Sequence, residues 1–125
     1  MNLIIKTQRT VPMDRIEDLL CTMWETSPSI AEWAECIRRN EPRSTACEYV
    51  WQYPARGGSL VFADIYDEEQ KGKRWTLDIK SIQSGLEIMA RYYPLHFNDF
   101  MEENEDSITA DIFLQCALFE KVIYS

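Results

Sequence analysis

Histidine is nearly absent from this 125-residue sequence, which contains His96 and no other. Hydrolytic and acid–base enzymes that work near neutral pH commonly rely on histidine, a tuned carboxylate or an activated nucleophile. The sequence also has no Cys-x-x-Cys motif and no pair of histidines, so it lacks the closely spaced nitrogen and sulfur ligands that zinc requires. We therefore predict no catalytic residue, no cofactor and no metal.

Glycine and proline are scarce, with four and five residues, and 46% of the chain is apolar. This composition excludes a low-complexity or disordered chain and predicts one domain spanning residues 1–125. The apolar run Leu3–Ile5 is too short for a signal peptide or a membrane span, so we expect a cytoplasmic protein. In that compartment the cysteines are expected to be free, buried thiols. They are Cys21, Cys36, Cys47 and Cys116.

Basic residues are in deficit, since 13 of them stand against 21 acidic residues, for a net charge of −8. Nucleic acids and anionic membranes need a positive surface, so neither is expected as a direct ligand. The charge is compatible either with a protein that is merely soluble or with one that binds a protein partner with a basic surface. Two acidic clusters are the predicted partner-binding residues: Asp64, Asp67, Glu68 and Glu69 form the first, and Asp99, Glu102, Glu103, Glu105 and Asp106 form the second.

The apolar periodicity predicts an α+β protein in the order β-αα-βββ-ααα, with an antiparallel sheet of three to four strands and the helices packed on one face. Period-two patterns place the strands, which are expected at 3–11, 47–53, 60–66 and 75–79. The connections among the last three strands are too short for crossover helices, so these strands are expected to form a meander.

Period-3.6 patterns place five helices, the first of which follows a capping box formed by Asp14 and Glu17. Ser29 and Glu32 form a second capping box, for a helix that is expected to end at Arg38–Asn40. The remaining helices are expected around Ile82, after Pro94 and after Ser107, with the acidic residues 102–106 as the loop before the last helix. Because these residues lie in a loop, reversing Glu102, Glu103 and Glu105 to lysine is expected to leave the fold intact.

A small enzyme or metal-binding protein centred on His96 and Asp99 is an alternative. The two residues are three positions apart, so a helix places them on one face, and Cys116 could approach them. The stretch 99–111 also carries six carboxylates and no basic residue, but it lacks the glycine and the ligand spacing of a calcium loop. We predict packing roles for His96 and Cys116 and a solvated acidic loop that caps the next helix.

The C-terminal third of the chain resembles the ending of a family of small phage and prophage proteins, Y-P-x-H-F-x-D-x-x-x-E-N-x-D-A-x-T-A-D-x-F-L-Q. The matching residues include Tyr93–Pro94, His96–Phe97, Glu103–Asn104 and Thr109–Asp111. Glu120 departs from the family, which usually has glycine at that position.

The resemblance implies an origin on a mobile element in a bacterial host, with no catalytic residue to carry over. Small acidic phage proteins of this kind are often inhibitors of host defence, such as anti-CRISPR or anti-restriction proteins. The expectation is thus a non-enzymatic inhibitor that covers a basic surface of a CRISPR effector or another defence nuclease complex in the bacterial cytoplasm. A phage housekeeping or regulatory protein, which could be a homodimer, is a further alternative.

Overall fold

A computed structural model describes residues 2–3, 8–25, 33–66 and 73–124 of the chain. Within these ranges four α-helices accompany one three-stranded antiparallel sheet, which confirms the predicted α+β class. The helices are α1 (Met13–Glu25), α2 (Ile79–Tyr92), α3 (Pro94–Met101) and α4 (Ser107–Phe119). The strands are β1 (Ala34–Asn40), β2 (Ser59–Asp64) and β3 (Trp75–Leu77).

The sheet has β2 at its centre, paired antiparallel with β1 on one side and β3 on the other. Leu60 and Phe62 alternate along β2 as buried residues, and Leu77 is buried opposite Leu60. Because successive strand residues point to opposite faces, these side chains mark the face that the helices cover. Val61 and Thr76 lie on the other face, where Thr76 is exposed.

The strand predicted over 47–53 is wrong, because the chain forms the 3-10 turn Val50–Gln52 there, and a second 3-10 turn, Pro54–Arg56, follows directly. The side-chain oxygen of Gln52 accepts hydrogen bonds from the backbone N–H groups of Glu48 and Tyr49, at 2.9 and 3.0 Å. A side chain thus satisfies the N–H groups that a strand would use in its ladder. These local hydrogen bonds favour a turn over the strand that the alternating apolar pattern predicts.

The second predicted helix is wrong from Ala34 onward, because Ala34–Asn40 is strand β1. The register runs from Ala34 opposite Asp64 to Asn40 opposite Ser59, so β1 completes the sheet beside β2. Pairing with a distant strand here outweighs the local helical periodicity. The predicted cap residues 29–32 lie outside the described residues, as do residues 4–7 of the predicted first strand. Residues 8–11 have no regular structure and pair with none of the three described strands.

Helices α2 and α4 cross closely at Gly85, which is buried against Ala117. A Cβ atom at position 85 would lie 2.8 Å from the Cα atom of Ala117, so only glycine permits this approach. The crossing brings α4 into the centre of the core. The largest fully buried side chains include Leu19, Leu20, Phe62, Phe100, Phe113 and Leu114.

Helix α4 ends on a left-handed residue, since Glu120 has φ 63° and ψ 11° and its N–H donates to the carbonyl oxygen of Cys116 at 3.1 Å. Glycine adopts this conformation without the steric cost that a Cβ atom imposes. Glu120→Gly is therefore expected to raise the free energy of unfolding by about 0.5–1 kcal/mol, as measured by urea denaturation. The exposed neighbour Lys121 provides the control, because Lys121→Gly should give no gain. A loss at position 120 would contradict the assigned conformation.

Candidate functional site

The acidic loop between α3 and α4 is anchored by Arg15, a side chain of α1. The Nη2 atom of Arg15 donates to the carbonyl oxygen of Phe100 at 2.6 Å and to Oε2 of Glu105 at 2.7 Å. The other terminal nitrogen, Nη1, donates to Oδ2 of Asp18 at 2.9 Å. The guanidinium also lies over the Phe100 ring, 5.4 Å from its centroid. Arg15 thus fixes α1 against the end of α3.

The backbone at the end of α3 holds the loop in one conformation. Glu103 has φ 63°, its N–H donates to the Phe100 carbonyl at 3.2 Å, and the N–H of Asn104 donates to the Asp99 carbonyl at 2.7 Å. These two bonds form a Schellman turn, with glutamate in the position that glycine usually takes. The turn projects Glu102 and Glu103 outward, since both residues are exposed.

Exposed carboxylates therefore lie beside the partly buried Arg15 contact. The side chain of Asp18 is 62% exposed and that of Glu103 is 73% exposed, with Glu103 Oε1 3.8 Å from the Nε atom of Arg15. We call Asp18, Glu102 and Glu103 the acidic face. Asp18 was missed by the sequence reasoning, because no local signal in α1 shows that this helix lies beside the loop. The structure adds it to the predicted cluster.

Glu105 contributes to structure at this site, because its side chain is only 8% exposed and is paired with Arg15. The Glu105 hydrogen bond is the main reason that the pKa of Arg15 is raised above its usual value. A lysine at position 105 would place two positive charges together in a largely buried setting. Reversing Glu102, Glu103 and Glu105 together is therefore expected to destabilise the fold, contrary to the prediction from the sequence.

Asp106 caps the N-terminus of α4, where its Oδ1 atom accepts a hydrogen bond from the Thr109 N–H at 2.9 Å. That backbone bond lowers the pKa of Asp106 below its ordinary value of 3.8. A lowered folded-state pKa stabilises the fold above the unfolded value, and this contribution is lost as the pH falls through the folded value.

Replacing this cap by an uncharged one should therefore have an effect that depends on pH. Asp106→Asn keeps an acceptor oxygen, so at pH 7 it is expected to cost only about 0.3–1 kcal/mol, the charge–dipole part of the cap. Urea unfolding at pH 7 and at about pH 3 measures the difference from wild type, which should shrink at the lower pH. A difference that grows as the pH falls would contradict this role.

The first predicted cluster is only partly described, since Asp67, Glu68 and Glu69 lie outside the described residues. Asp64, at the end of β2, accepts a hydrogen bond from the Tyr124 hydroxyl at 2.5 Å through Oδ2 and one from the Tyr66 N–H at 2.9 Å through Oδ1. Asp64 therefore holds the C-terminal segment against the sheet. None of its described contacts joins it to the acidic face.

His96 and Asp99 lie on α3, as expected, but no described hydrogen bond links them to each other or to Cys116. The Nδ1 atom of His96 is buried and has no partner among the described residues. Cys116 is fully buried, and burial raises the pKa of its thiol to about 12, so the thiol stays protonated at neutral pH. The residues of the alternative centre do not form a nucleophile–base pair. All four cysteines are free, as predicted, but only Cys116 is buried.

A metal site has no support in the described part of the chain, where no three His, Cys, Asp or Glu side chains cluster for a metal ion. Asp111, the last carboxylate of the acidic stretch, is buried and accepts a 2.6 Å hydrogen bond from Nε1 of Trp33. It belongs to the protein interior and is unavailable to a calcium loop.

An open groove of about 610 Å³ lies where β1 and the β2 and β3 termini meet the start of α2. Charges of both signs line it, with Arg43 and Lys80 beside Glu41 and Asp78. The Asp78 carboxylate is already used, since it accepts the Ser81 N–H at 3.0 Å as the cap of α2. This mixed lining selects for neither an anion nor a cation.

Comparisons with protein-family models, with curated proteins and with solved structures gave no match to this chain. Among the described helices, none combines the length and apolar character required to cross a membrane.

Proposed function

We propose that this protein is a non-enzymatic inhibitor that binds a basic, nucleic-acid-binding surface of a host defence complex through its acidic face. CRISPR effectors are the first candidates for that complex. The observation that carries the proposal is the display of Asp18 and Glu103 around the Arg15–Glu105 ion pair, with the exposed Glu102 next to Glu103 in the loop. The resemblance to phage proteins favours a bacterial cytoplasmic setting, in which such complexes work.

The charges at this site combine to an outward negative field. Arg15 pairs with Glu105 at 2.7 Å, in a contact that is 15% and 8% exposed, and the same guanidinium contacts Asp18 at 2.9 Å and Glu103 at 3.8 Å. The exposed carboxylates of the acidic face then face solvent without an equal number of cations. A concentrated field of one sign accelerates encounter with an oppositely charged partner and orients the two molecules.

The rigidity of the display supports a binding role as well. A surface that is ordered before binding loses less conformational entropy when the complex forms. Two sets of contacts hold the loop in place. The Arg15 side chain of α1 donates hydrogen bonds to it, and the backbone after α3 closes the Schellman turn. A purely solvating loop needs neither feature.

Capture from bacterial lysate with mass spectrometry tests the proposal, provided that a matched charge variant is included. The test variant is Asp18→Lys/Glu102→Lys/Glu103→Lys, which leaves Glu105 in place. The control variant is Glu41→Lys/Glu48→Lys/Glu87→Lys, which makes the same change in net charge at exposed positions elsewhere.

Wild type and the control variant are expected to retain the same nucleic-acid-handling complex, and the acidic-face variant is expected to lose it. Added DNA or RNA should compete with wild type for that complex, since both are proposed to occupy one basic surface. Retention of the same proteins by all three forms, or a bound set without any nuclease or defence subunit, would count against the proposal.

A further inference from the structure

Strand β1 is an edge strand of the described sheet, since its only neighbour there is β2. Every second residue of an edge strand directs its N–H and C=O groups away from the sheet, where they can pair with another strand. The side chains from Glu35 to Arg39 are exposed apart from Cys36, which is half-buried. This edge is accessible over most of its length.

A β-bulge places two opposite charges on the same face of this edge. The register changes between Cys36 and Arg38, so Glu35 lies opposite Ala63 and Arg38 lies opposite Val61. Ala63 and Val61 are two residues apart on β2 and therefore share a face, which places Glu35 and Arg38 on one face although they are three residues apart. Without the bulge they would point to opposite faces.

This arrangement is complementary to itself. Two copies of β1 can pair antiparallel about a two-fold axis that passes between Cys36 and Ile37. Glu35 of each copy then lies opposite Arg38 of the other, so the dimer contains two such pairs. Neither side chain has an ion-pair partner among the described residues. The same register places Ile37, which is 43% exposed, near the axis beside its symmetry mate and removes it from water.

We propose that two copies of this chain associate through β1 to form a continuous six-stranded sheet. The partner is a second copy because the charge pattern of the edge matches its own reverse, which no other described edge offers. The acidic face plays no part in this contact, as Asp18, Glu102 and Glu103 lie on α1 and the α3–α4 loop.

Charge reversal tests the register, with sedimentation velocity across a concentration series as the measurement. The wild-type chain is expected to shift from its 14.7 kDa monomer toward twice that mass as the concentration rises to about 1 mM. Glu35→Arg alone and Arg38→Glu alone each replace two attractive pairs with two repulsive ones, so each should raise the dissociation constant by about tenfold or more.

The double variant Glu35→Arg/Arg38→Glu decides the matter, because exchanging both charges restores both pairs in a symmetric dimer. It should dimerise with nearly the wild-type constant. Both positions are exposed, so each variant is expected to fold, and a circular dichroism spectrum of each variant checks this. The proposal is overturned if the wild-type chain stays monomeric at all concentrations. It is also overturned if the single reversals leave the dissociation constant unchanged, or if the double variant does not restore the wild-type constant. The control Glu87→Arg should leave the constant unchanged.

Discussion

Arg15→Met should lower the free energy of unfolding by about 2–4 kcal/mol, a large loss for a single substitution. The variant leaves the Glu105 carboxylate, 8% exposed, without its cation and leaves the Phe100 carbonyl with one donor fewer. Removing one partner of a buried ion pair costs more than the pair itself contributes, because the remaining charge is desolvated and uncompensated. Urea denaturation at neutral pH measures the loss.

Two further variants separate the buried charge from the loss of a long side chain. Arg15→Met/Glu105→Met removes both charges and should recover most of the stability, since an apolar pair of similar volume suits a buried site. Arg43→Met removes an exposed arginine and should change the stability by less than about 0.5 kcal/mol. If Arg15→Met were as mild as Arg43→Met, the anchor described for the acidic loop would be wrong.

Gln115→Leu should cost a similar amount, about 2–4 kcal/mol, and should release the C-terminal segment. The Gln115 side chain is fully buried, and its Oε1 atom accepts the N–H groups of Ile123 and Tyr124, both at 2.8 Å. Its Nε2 atom donates to the Tyr124 carbonyl at 2.9 Å. The Gln115 side chain therefore makes the backbone hydrogen bonds that a neighbouring strand would make with the C-terminal segment. Leucine can make none of them.

Amide hydrogen exchange detects the release directly, because Ile123 and Tyr124 should lose protection in Gln115→Leu before the rest of α4 does. Gln83→Leu is the matched control, since Gln83 is exposed on α2 and its amide makes only a 3.4 Å contact with Glu87. That substitution should be near neutral. Equal stability and equal protection in the two variants would show that Gln115 does not hold the segment.

The parts of the fold that could be predicted from the sequence are those with local signals. Helix α1, the helix that begins at Pro94, the last helix and strand β2 follow from apolar spacing within each element. Their predicted caps were less accurate: α1 begins at Met13 and so contains Asp14, and the cap of the last helix is Asp106, with Ser107 as its first residue. Strand β1 could not be predicted in this way, because its identity depends on pairing with β2. The 3-10 turns after Tyr49 depend on the Gln52 side chain, which no periodicity reveals.

The candidate site could likewise be predicted from the sequence only in part. The loop position of Glu102 and Glu103 was predictable from charge and from the helices on either side. The pairing of Arg15 with Glu105 was not, because 90 positions separate the two residues and only the folded chain brings them together. The sequence therefore predicted an acidic cluster, and the structure distinguishes Glu105, which forms a partly buried ion pair with Arg15, from the exposed carboxylates.

The measurement that tests the proposed function most directly is the association rate with the captured partner at low and at high salt. Wild type should associate more slowly as salt rises, because charge interactions at an exposed surface are screened beyond about 8–10 Å at physiological ionic strength. At low salt Asp18→Lys/Glu102→Lys/Glu103→Lys should associate about tenfold more slowly than wild type, while Glu41→Lys/Glu48→Lys/Glu87→Lys should stay close to it. Equal rates for all three forms at both salt concentrations would contradict a binding role for the acidic face.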